Sequence, residues 1–242
     1  MTPIVMTTVQ PMNMLEYSVK ANTNLLDLLH ISSPALPVGA FAYSQGLEYT
    51  LDAQWCENAQ EIEQWIELVL LQGLGQLDLP MYLRMYNAWQ DKDYQSLRNL
   101  NDELLAFRES KELYLEDIQV GSAYVQWHLG QDVNRQTLLD ELDKPSVVAM
   151  ASLAAVLSQI PVEMAMQGFL WSWCENQITC ACKALPMGQT QAQQVLQRLI
   201  PKMQQCVTQS FSVKDDEMGT GLFGLAMASS LHEFQYSRLF RS

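Results

Sequence analysis

Residues 146–174 read SVVAMASLAAVLSQIPVEMAMQGFLWSWC and carry one charged side chain, that of Glu163. A membrane-spanning helix needs about 20 consecutive, predominantly apolar residues. Pro161 interrupts this run, and Gln159, Gln167 and several serines dilute it. The run therefore predicts two core helices that meet at Pro161, and a membrane span is the weaker interpretation.

Helical spacing continues on both sides of this run. Asn58 and Glu61 form a capping-box variant ahead of an apolar face. No segment alternates apolar and polar residues between turn signals, so no strand is expected. We predict an all-α fold, a single compact domain of roughly eight to ten helices. The apolar residues at helical spacing are Ile62, Trp65, Ile66 and Val69; Leu97, Leu100, Leu104 and Phe107; Tyr114, Ile118, Gly121, Val125 and Leu129; and Val195, Leu199, Met203, Cys206 and Val207.

The breaks between helices are short. Proline, glycine and polar residues mark them at positions 34–39, 131–145, 186–189 and 214–221, and such clusters are typical of loops. The predicted organisation is a flexible N-terminal extension at 1–22, the helical domain at 23–230 and a partner-binding C-terminal tail at 231–242.

Composition excludes some classes of function. The chain has 14 basic and 27 acidic residues, for a net charge of -13. Such a protein repels phosphate backbones and anionic lipids, so neither nucleic acid nor a membrane is an expected partner. Its five cysteines are an odd number, which favours a reducing compartment with buried thiols. No basic segment precedes an apolar run at the N-terminus, so we predict a cytoplasmic protein without a signal peptide.

Candidate catalytic and metal motifs are weak. Gly219, Gly221 and Gly224 have the spacing G-x-G-x-x-G, but an acidic segment precedes them and too few residues follow for a nucleotide-binding unit. Cys180 and Cys182 would point about 200° apart on a helix, so they are interpreted as buried thiols. The three histidines, at positions 30, 128 and 232, are scattered. The residues alone thus predict no active site, no bound metal and no cofactor.

Three segments resemble the signatures of a known family. Residues 33–48, SPALPVGAFAYSQGLE, look like the N-terminal signature of the UreF family of urease accessory proteins. The middle signature is similar to residues 175–177, ENQ, followed by Lys183 and the turn at 186–189. Residues 232–240, HEFQYSRLF, resemble the C-terminal signature. The order and separations match, and the resemblance covers about residues 24 to 242.

The resemblance implies an all-helical dimer that is not itself an enzyme and carries no cofactor. It implies three partners, namely a second accessory protein called UreD or UreH, the GTPase UreG, and apo-urease, whose active site takes two nickel ions. The chain would then be a scaffold that bridges these proteins during nickel insertion. Two alternatives stay open: a regulator of the UreG GTPase rate, with Arg238 or Lys183 reaching toward the nucleotide, and a nickel carrier.

Three candidate partner contacts lie in the first two signatures. Phe41 and Glu48 fall on a predicted second helix that also carries Tyr43 and Ser44, where packing and partner contact are equally good explanations. Lys183 lies near a helix C-terminus, where a positive charge favours the helix dipole. The resemblance implies that Lys183 also couples the chain to the GTPase.

The remaining candidates lie in the tail. Tyr236, Arg238, Leu239 and Phe240 combine aromatic, apolar and basic side chains, which are common interface anchors. The segment ends the given sequence and follows a glycine-rich break, so few contacts with the core are expected. We predict that the tail orders on a partner instead of packing on its own domain, and that His232 is a surface or partner-contact residue.

Overall fold

The structure is a computed structural model that describes residues 24–185, 187–219 and 221–242. The predicted flexible extension at 1–22 lies outside the described residues. The described part of the chain folds as one domain of eleven α-helices without a β-strand, which confirms the all-α prediction. The helices are α1 (24–31), α2 (Leu47–Asp52), α3 (Ala59–Leu68), α4 (Asp78–Asp91), α5 (Tyr94–Ala106), α6 (Lys111–Gln131), α7 (Gln136–Leu139), α8 (Val147–Leu157), α9 (Val162–Ala184), α10 (Gln189–Ser210) and α11 (Phe223–His232).

The helix count is slightly higher than predicted because short helices lack a periodic signal. The segment 131–145, expected to be a loop, contains α7 and the 3-10 turn Val133–Arg135. A helix of four residues completes about one turn, so no apolar stripe can repeat along it. The other three predicted breaks do separate α-helices, and the last contains the 3-10 turn Asp215–Glu217.

The apolar run at 146–174 forms two helices, as predicted. The Ser146 side chain caps α8 by accepting a hydrogen bond from Ala149 N at 3.1 Å, and Pro161 directly precedes α9. Helix α4 packs against α8, and the Trp89 side chain of α4 donates a hydrogen bond to the backbone carbonyl oxygen of Ala149 in α8 at 3.0 Å. Among the described helices, none combines the length and the apolar character that crossing a bilayer would require.

The predicted apolar faces of α3 and α10 are in the core. Asn58 accepts hydrogen bonds from the first turn of α3, and Ile62 and Ile66 are fully buried. The π-helical segment Val69–Leu74 continues α3. It closely approaches α10, since the Cys206 thiol donates to the carbonyl oxygen of Leu70 at 3.3 Å.

The face that α6 turns to the interior differs from the predicted one. Tyr114, Ile118, Val125 and Leu129 are only partly buried. The most buried face instead includes polar and charged residues, because Arg108, His232 and the C-terminal residues supply them with hydrogen-bond partners. These buried residues are Glu112, Glu116, Asp117, Val120, Gly121, Tyr124 and His128.

One buried ion-pair network explains part of this polar face. Arg108 lies between Asp78 at the start of α4 and Asp117 on α6, with nitrogen–oxygen distances of 2.6 Å to each carboxylate. Asp117 also accepts a hydrogen bond from Val147 N, in the first turn of α8, at 2.6 Å. The network joins three helices, and a buried carboxylate needs such partners.

Candidate partner-binding site

The second helix begins later than the sequence predicted. Tyr43 and Ser44 precede α2, which starts at Leu47. Gln45 and Gly46 have left-handed backbone conformations, with φ angles of 55° and 78°. Residues in this conformation cannot be part of a right-handed helix. The segment 39–46 is therefore a compact turn that places its backbone groups at the surface of α9 and α11.

Gly46 lets α11 approach this turn. A Cβ atom at Gly46 would lie 2.9 Å from Ser229 N of α11, closer than normal van der Waals contact. From α9, Asn176 donates to the carbonyl oxygens of Ala40 and Tyr43 at 3.2 and 3.0 Å. The first two signature-like segments thus meet beside α11, the helix that precedes the third.

The predicted tail at 231–242 begins inside α11, which ends at His232; its remaining residues, 233–242, called the tail from here on, fold back onto this place. Glu48 accepts hydrogen bonds from Leu239 N at 2.6 Å and Phe240 N at 2.9 Å. Arg241 N donates to the carbonyl oxygen of Ala42 at 2.8 Å. The expectation that the tail has few contacts with the body is therefore wrong, because a buried carboxylate captures the tail backbone in the way a helix N-cap does.

His232 is also inside, and its predicted surface role is wrong. It is fully buried, with Nε2 at 3.0 Å from a Glu48 oxygen and Nδ1 at 2.8 Å from a Glu112 oxygen. Both ring nitrogens therefore lie within hydrogen-bond distance of a buried carboxylate oxygen. Arg238 donates to the other Glu112 oxygen at 2.8 Å. Glu112 therefore has a cationic partner in Arg238, and Glu48 and Glu112 share the His232 ring between them.

Glu116 holds the last residue of the tail. Ser242 Oγ and Gln45 Nε2 donate to its two carboxylate oxygens at 2.8 and 2.7 Å. Trp173 in turn donates to Gln45 Oε1 at 2.7 Å. Burial raises the pKa of Glu116 to about 7, and the hydrogen bonds from Gln45 and Ser242 oppose this shift. Ser44 secures the same end, since its backbone N–H donates to the carbonyl oxygen of Ser242 at 2.6 Å.

Phe240 turns inward and Lys183 covers it. The Phe240 ring is buried, and Lys183 Nζ lies 5.4 Å from its centroid, within cation–π range. Lys183 is in the last turn of α9, where it also complements the helix dipole. We call Glu48, Glu112, Glu116 and Lys183 the tail seat, because all four side chains contact the tail or the end of α11.

The other predicted tail contacts face outward. Tyr236 is fully exposed, Phe234 is 82% exposed and Leu239 is 67% exposed. Phe41, in the 3-10 turn Ala40–Ala42, is also exposed. The seven predicted site residues thus divide into an inner set that holds the tail and an outer set whose side chains do not contact the seat. Partner binding stays a prediction for all seven; the inner set is Glu48, Lys183, Arg238 and Phe240, and the outer set is Phe41, Tyr236 and Leu239.

Sequence reasoning missed the contribution of α6. Glu112 and Glu116 are spaced by four, so they share one helix face. Two glutamates on one face can indicate that this face makes buried polar contacts. Charged residues at this spacing are, however, far more common on solvent-exposed faces. Gln45 and Ser242 gave no signal at all.

Among the residues that the structure describes, the cysteines and acidic side chains do not cluster into a metal centre. Within the described ranges, no group of three potential ligands is arranged to hold a metal ion. Cys180 and Cys206 are buried, and desolvation raises the pKa of each thiol to about 12. Such thiols are protonated and unreactive near neutral pH, which agrees with the interpretation of Cys180 as a buried thiol. Cys182 is only partly buried, so the same interpretation is wrong for it.

Comparison with known proteins agrees with the resemblance of the three segments. The family model UreF matches residues 56–200. A protein of Teredinibacter turnerae is 46% identical over 222 residues, which cover 91% of this chain and 100% of that relative. One of Hahella chejuensis is 45% identical over 219 residues, covering 90% and 98%. A Pseudoalteromonas translucida protein is 40% identical over 226 residues, covering 90% and 94%.

Each of these three relatives is named urease accessory protein UreF. The chain belongs to the UreF family of urease accessory proteins.

Proposed function

We propose that this chain is a non-enzymatic cytoplasmic scaffold that joins UreD or UreH, the GTPase UreG and apo-urease while nickel is inserted, and that it works as a homodimer. Family membership supports the role in urease maturation. The observation that carries the binding role is the tail, whose inner residues are fastened while Phe234, Tyr236 and Leu239 point to solvent.

A fastened tail is suited to recognition. Exposing large aromatic and aliphatic side chains to water is unfavourable, so burying them against a partner contributes favourably to the free energy of binding. Because hydrogen bonds already hold the tail backbone, less conformational entropy is lost on binding than for a free segment. Leu231 at the end of α11 and Phe223 at its start add further exposed apolar surface, so a partner with an apolar groove is expected.

The contacts of Arg238 favour a scaffold over a regulator of GTP hydrolysis. An arginine finger must reach the transferring phosphoryl group, whereas Arg238 is bonded to Glu112 and Lys183 is placed over Phe240. A single-turnover GTPase assay of UreG with and without this protein separates the two roles. An unchanged rate supports the scaffold, and a rate increase lost on Arg238→Ala supports the regulator.

The test of binding is co-purification after co-expression with the other urease accessory proteins. Tyr236→Ala combined with Leu239→Ala should leave the helical circular dichroism and melting temperature unchanged, because both side chains are exposed, but should weaken retention of UreD/UreH or of UreG at least tenfold. Phe211→Ala removes a half-exposed aromatic from the end of α10 and serves as the matched control. Equal retention of both partners by the double variant and the control would contradict the proposal.

Removal of the end of the tail, which carries residues of both sets, is a second test. Deleting residues 236–242 should leave a folded, helical dimer, because His232 still pairs with Glu48 and Glu112. This shortened chain should fail to activate urease. Size-exclusion chromatography and thermal melting check the fold, and an unfolded product would show that the tail is part of the core. The full protein alone should hydrolyse neither GTP nor urea.

A further inference from the structure

We propose that the outward face of α1 is the surface through which two copies of this chain associate, and that this pairing leaves both tails free for partners. Three leucines form this face, which we call the α1 patch. Leu25 is close to half exposed, Leu26 is 69% exposed and Leu29 is 59% exposed. The inference rests on the proposed function for one point, the homodimer, and names the surface that would form it.

The three leucines of the α1 patch lie within one turn of each other. Leu29 follows Leu25 by four positions and Leu26 by three, so the side chains are neighbours on the helix surface. Single exposed apolar side chains are normal on a soluble protein, whereas a contiguous group of large ones marks an interaction surface. Burying this group against another molecule is favourable.

The other side of α1 is held on the body of the protein. A Cβ atom at Gly168 of α9 would lie 2.6 Å from Leu28 Cδ1, so the glycine lets α1 pack closely on α9. The centroid of the His30 ring lies 5.9 Å from that of Trp127 on α6. Because these contacts fix the helix, little conformational entropy is lost when another molecule covers the patch.

The charge of the chain favours a second copy as the occupant. Two molecules of net charge -13 repel each other, so their association is favoured where little charge is brought together. Asp27 is the one Asp, Glu, Lys or Arg residue at positions 24–47. A basic partner would instead be attracted to acidic surface, such as that of Asp102, Glu103 and Glu109. A two-fold contact places the same patch on both sides, and an apolar patch complements itself.

The α1 patch and the tail lie near opposite ends of the same two helices. On α6, Trp127 faces α1, whereas Glu112 contacts the tail. On α9, Gly168 lies against α1, whereas Lys183 contacts the tail. The two residues of each pair are about 15 positions apart, which corresponds to roughly 22 Å along a helix. Association through the α1 patch therefore leaves the outward side chains of both tails accessible.

A charge-complementation experiment tests whether two copies pair through the α1 patch. Size-exclusion chromatography with light scattering should give the unaltered chain the mass of a dimer. Leu26→Lys/Leu29→Lys should raise the dissociation constant at least about a hundredfold, because a two-fold contact brings like charges together. Leu26→Glu/Leu29→Glu should dissociate in the same way. An equimolar mixture of the two variants should form a dimer again, since lysines then face glutamates.

The control variant carries the same number of lysines elsewhere on the surface. Leu68→Lys combined with Leu115→Lys replaces exposed leucines on α3 and α6 and should remain dimeric. Lysine and leucine have similar helix propensities, so each lysine variant should keep the melting temperature of the unaltered chain. A second measurement needs no variant: when the unaltered chain is diluted until it dissociates, amide hydrogen exchange should rise in α1 and stay unchanged in the tail.

The outcomes separate this inference from the proposed function. A dimer that persists in Leu26→Lys/Leu29→Lys, a mixture that does not reassemble, or unchanged exchange in α1 on dilution would each overturn this inference alone. An unaltered chain that is monomeric would overturn both the inference and the homodimer of the proposed function. Partner retention by Tyr236→Ala/Leu239→Ala decides the binding role of the tail independently, and this variant should remain dimeric.

Discussion

The region around α8 and the tail seat are both buried, yet different forces hold them. In α8, eight of eleven residues are buried, and they are apolar except Ser152. In the seat, the buried groups are carboxylates with an imidazole, a guanidinium and backbone N–H donors as partners. The hydrophobic effect is roughly proportional to area and has no direction, whereas a buried charge is stable only when specific partners reach it.

This difference teaches where each region is sensitive. A core helix tolerates changes in pH and salt but not a loss of volume. The tail seat should be sensitive to the loss of a single hydrogen-bonding group, since removing one partner leaves the other buried without a hydrogen bond. It should also be the first part of the fold to open, because a terminal segment can detach without unfolding the helices beneath it.

The largest effect is expected for His232→Ala. Glu48 and Glu112 then lose the imidazole that contacts both of them in a buried site, and leaving a buried carboxylate without its partner costs about 3–5 kcal/mol. The loss should concentrate in the tail, so amide exchange at Leu239 and Phe240 should rise far more than exchange in α8. His30→Ala, at an exposed histidine on α1, is the control. Equal loss of protection in α8 and the tail would show that the two regions form one cooperative unit.

The core counterpart is Leu153→Ala in α8. This fully buried leucine belongs to the main apolar cluster, and its truncation should lower the free energy of unfolding by about 2–5 kcal/mol. Urea denaturation followed by circular dichroism measures the change, which should be the same at pH 5.5 and pH 8. A strong pH dependence of this loss would contradict the separation of the two regions.

A matched glycine pair gives a smaller and more local effect. Gly39 and Gly46 have φ angles of 75° and 78°, so alanine is similarly strained at both positions. Only at Gly46 does the new Cβ meet backbone atoms, those of Ala228 and Ser229 in α11, while nothing lies within 4 Å at Gly39. Gly46→Ala should cost about 1–3 kcal/mol more than Gly39→Ala. Thermal melting of both variants tests this. Equal melting temperatures would mean that α11 can shift away from the new Cβ atom without a loss of stability.

The same contrast explains what could be predicted from sequence. Helices α8, α9 and α10 were predictable because apolar spacing reports a buried face whatever its exact neighbours are. The start of α2 was not predictable, since Gln45 adopts a left-handed conformation that is uncommon for glutamine. The seat could not be predicted either: Glu48, Glu112 and His232 are separated by up to 184 positions, and periodicity carries no information on such pairings.

The smallest effect on stability is expected for Lys183→Ala, which separates holding the tail from packing the core. Its ammonium group faces the Phe240 ring at 5.4 Å, and a cation–π contact at a partly exposed site contributes about 0.5–1 kcal/mol. In a chain of this size 1 kcal/mol shifts the melting temperature by roughly 2–4 °C, so the variant should stay folded. Urease activation in co-expressing cells should nevertheless fall severalfold, because a loosened Phe240 displaces the outward residues beside it. Lys183→Arg keeps the cation over the ring and should restore most of the activation. If activation instead drops only in proportion to the melting temperature, or if arginine does not rescue it, the contact with Phe240 is not how this lysine acts.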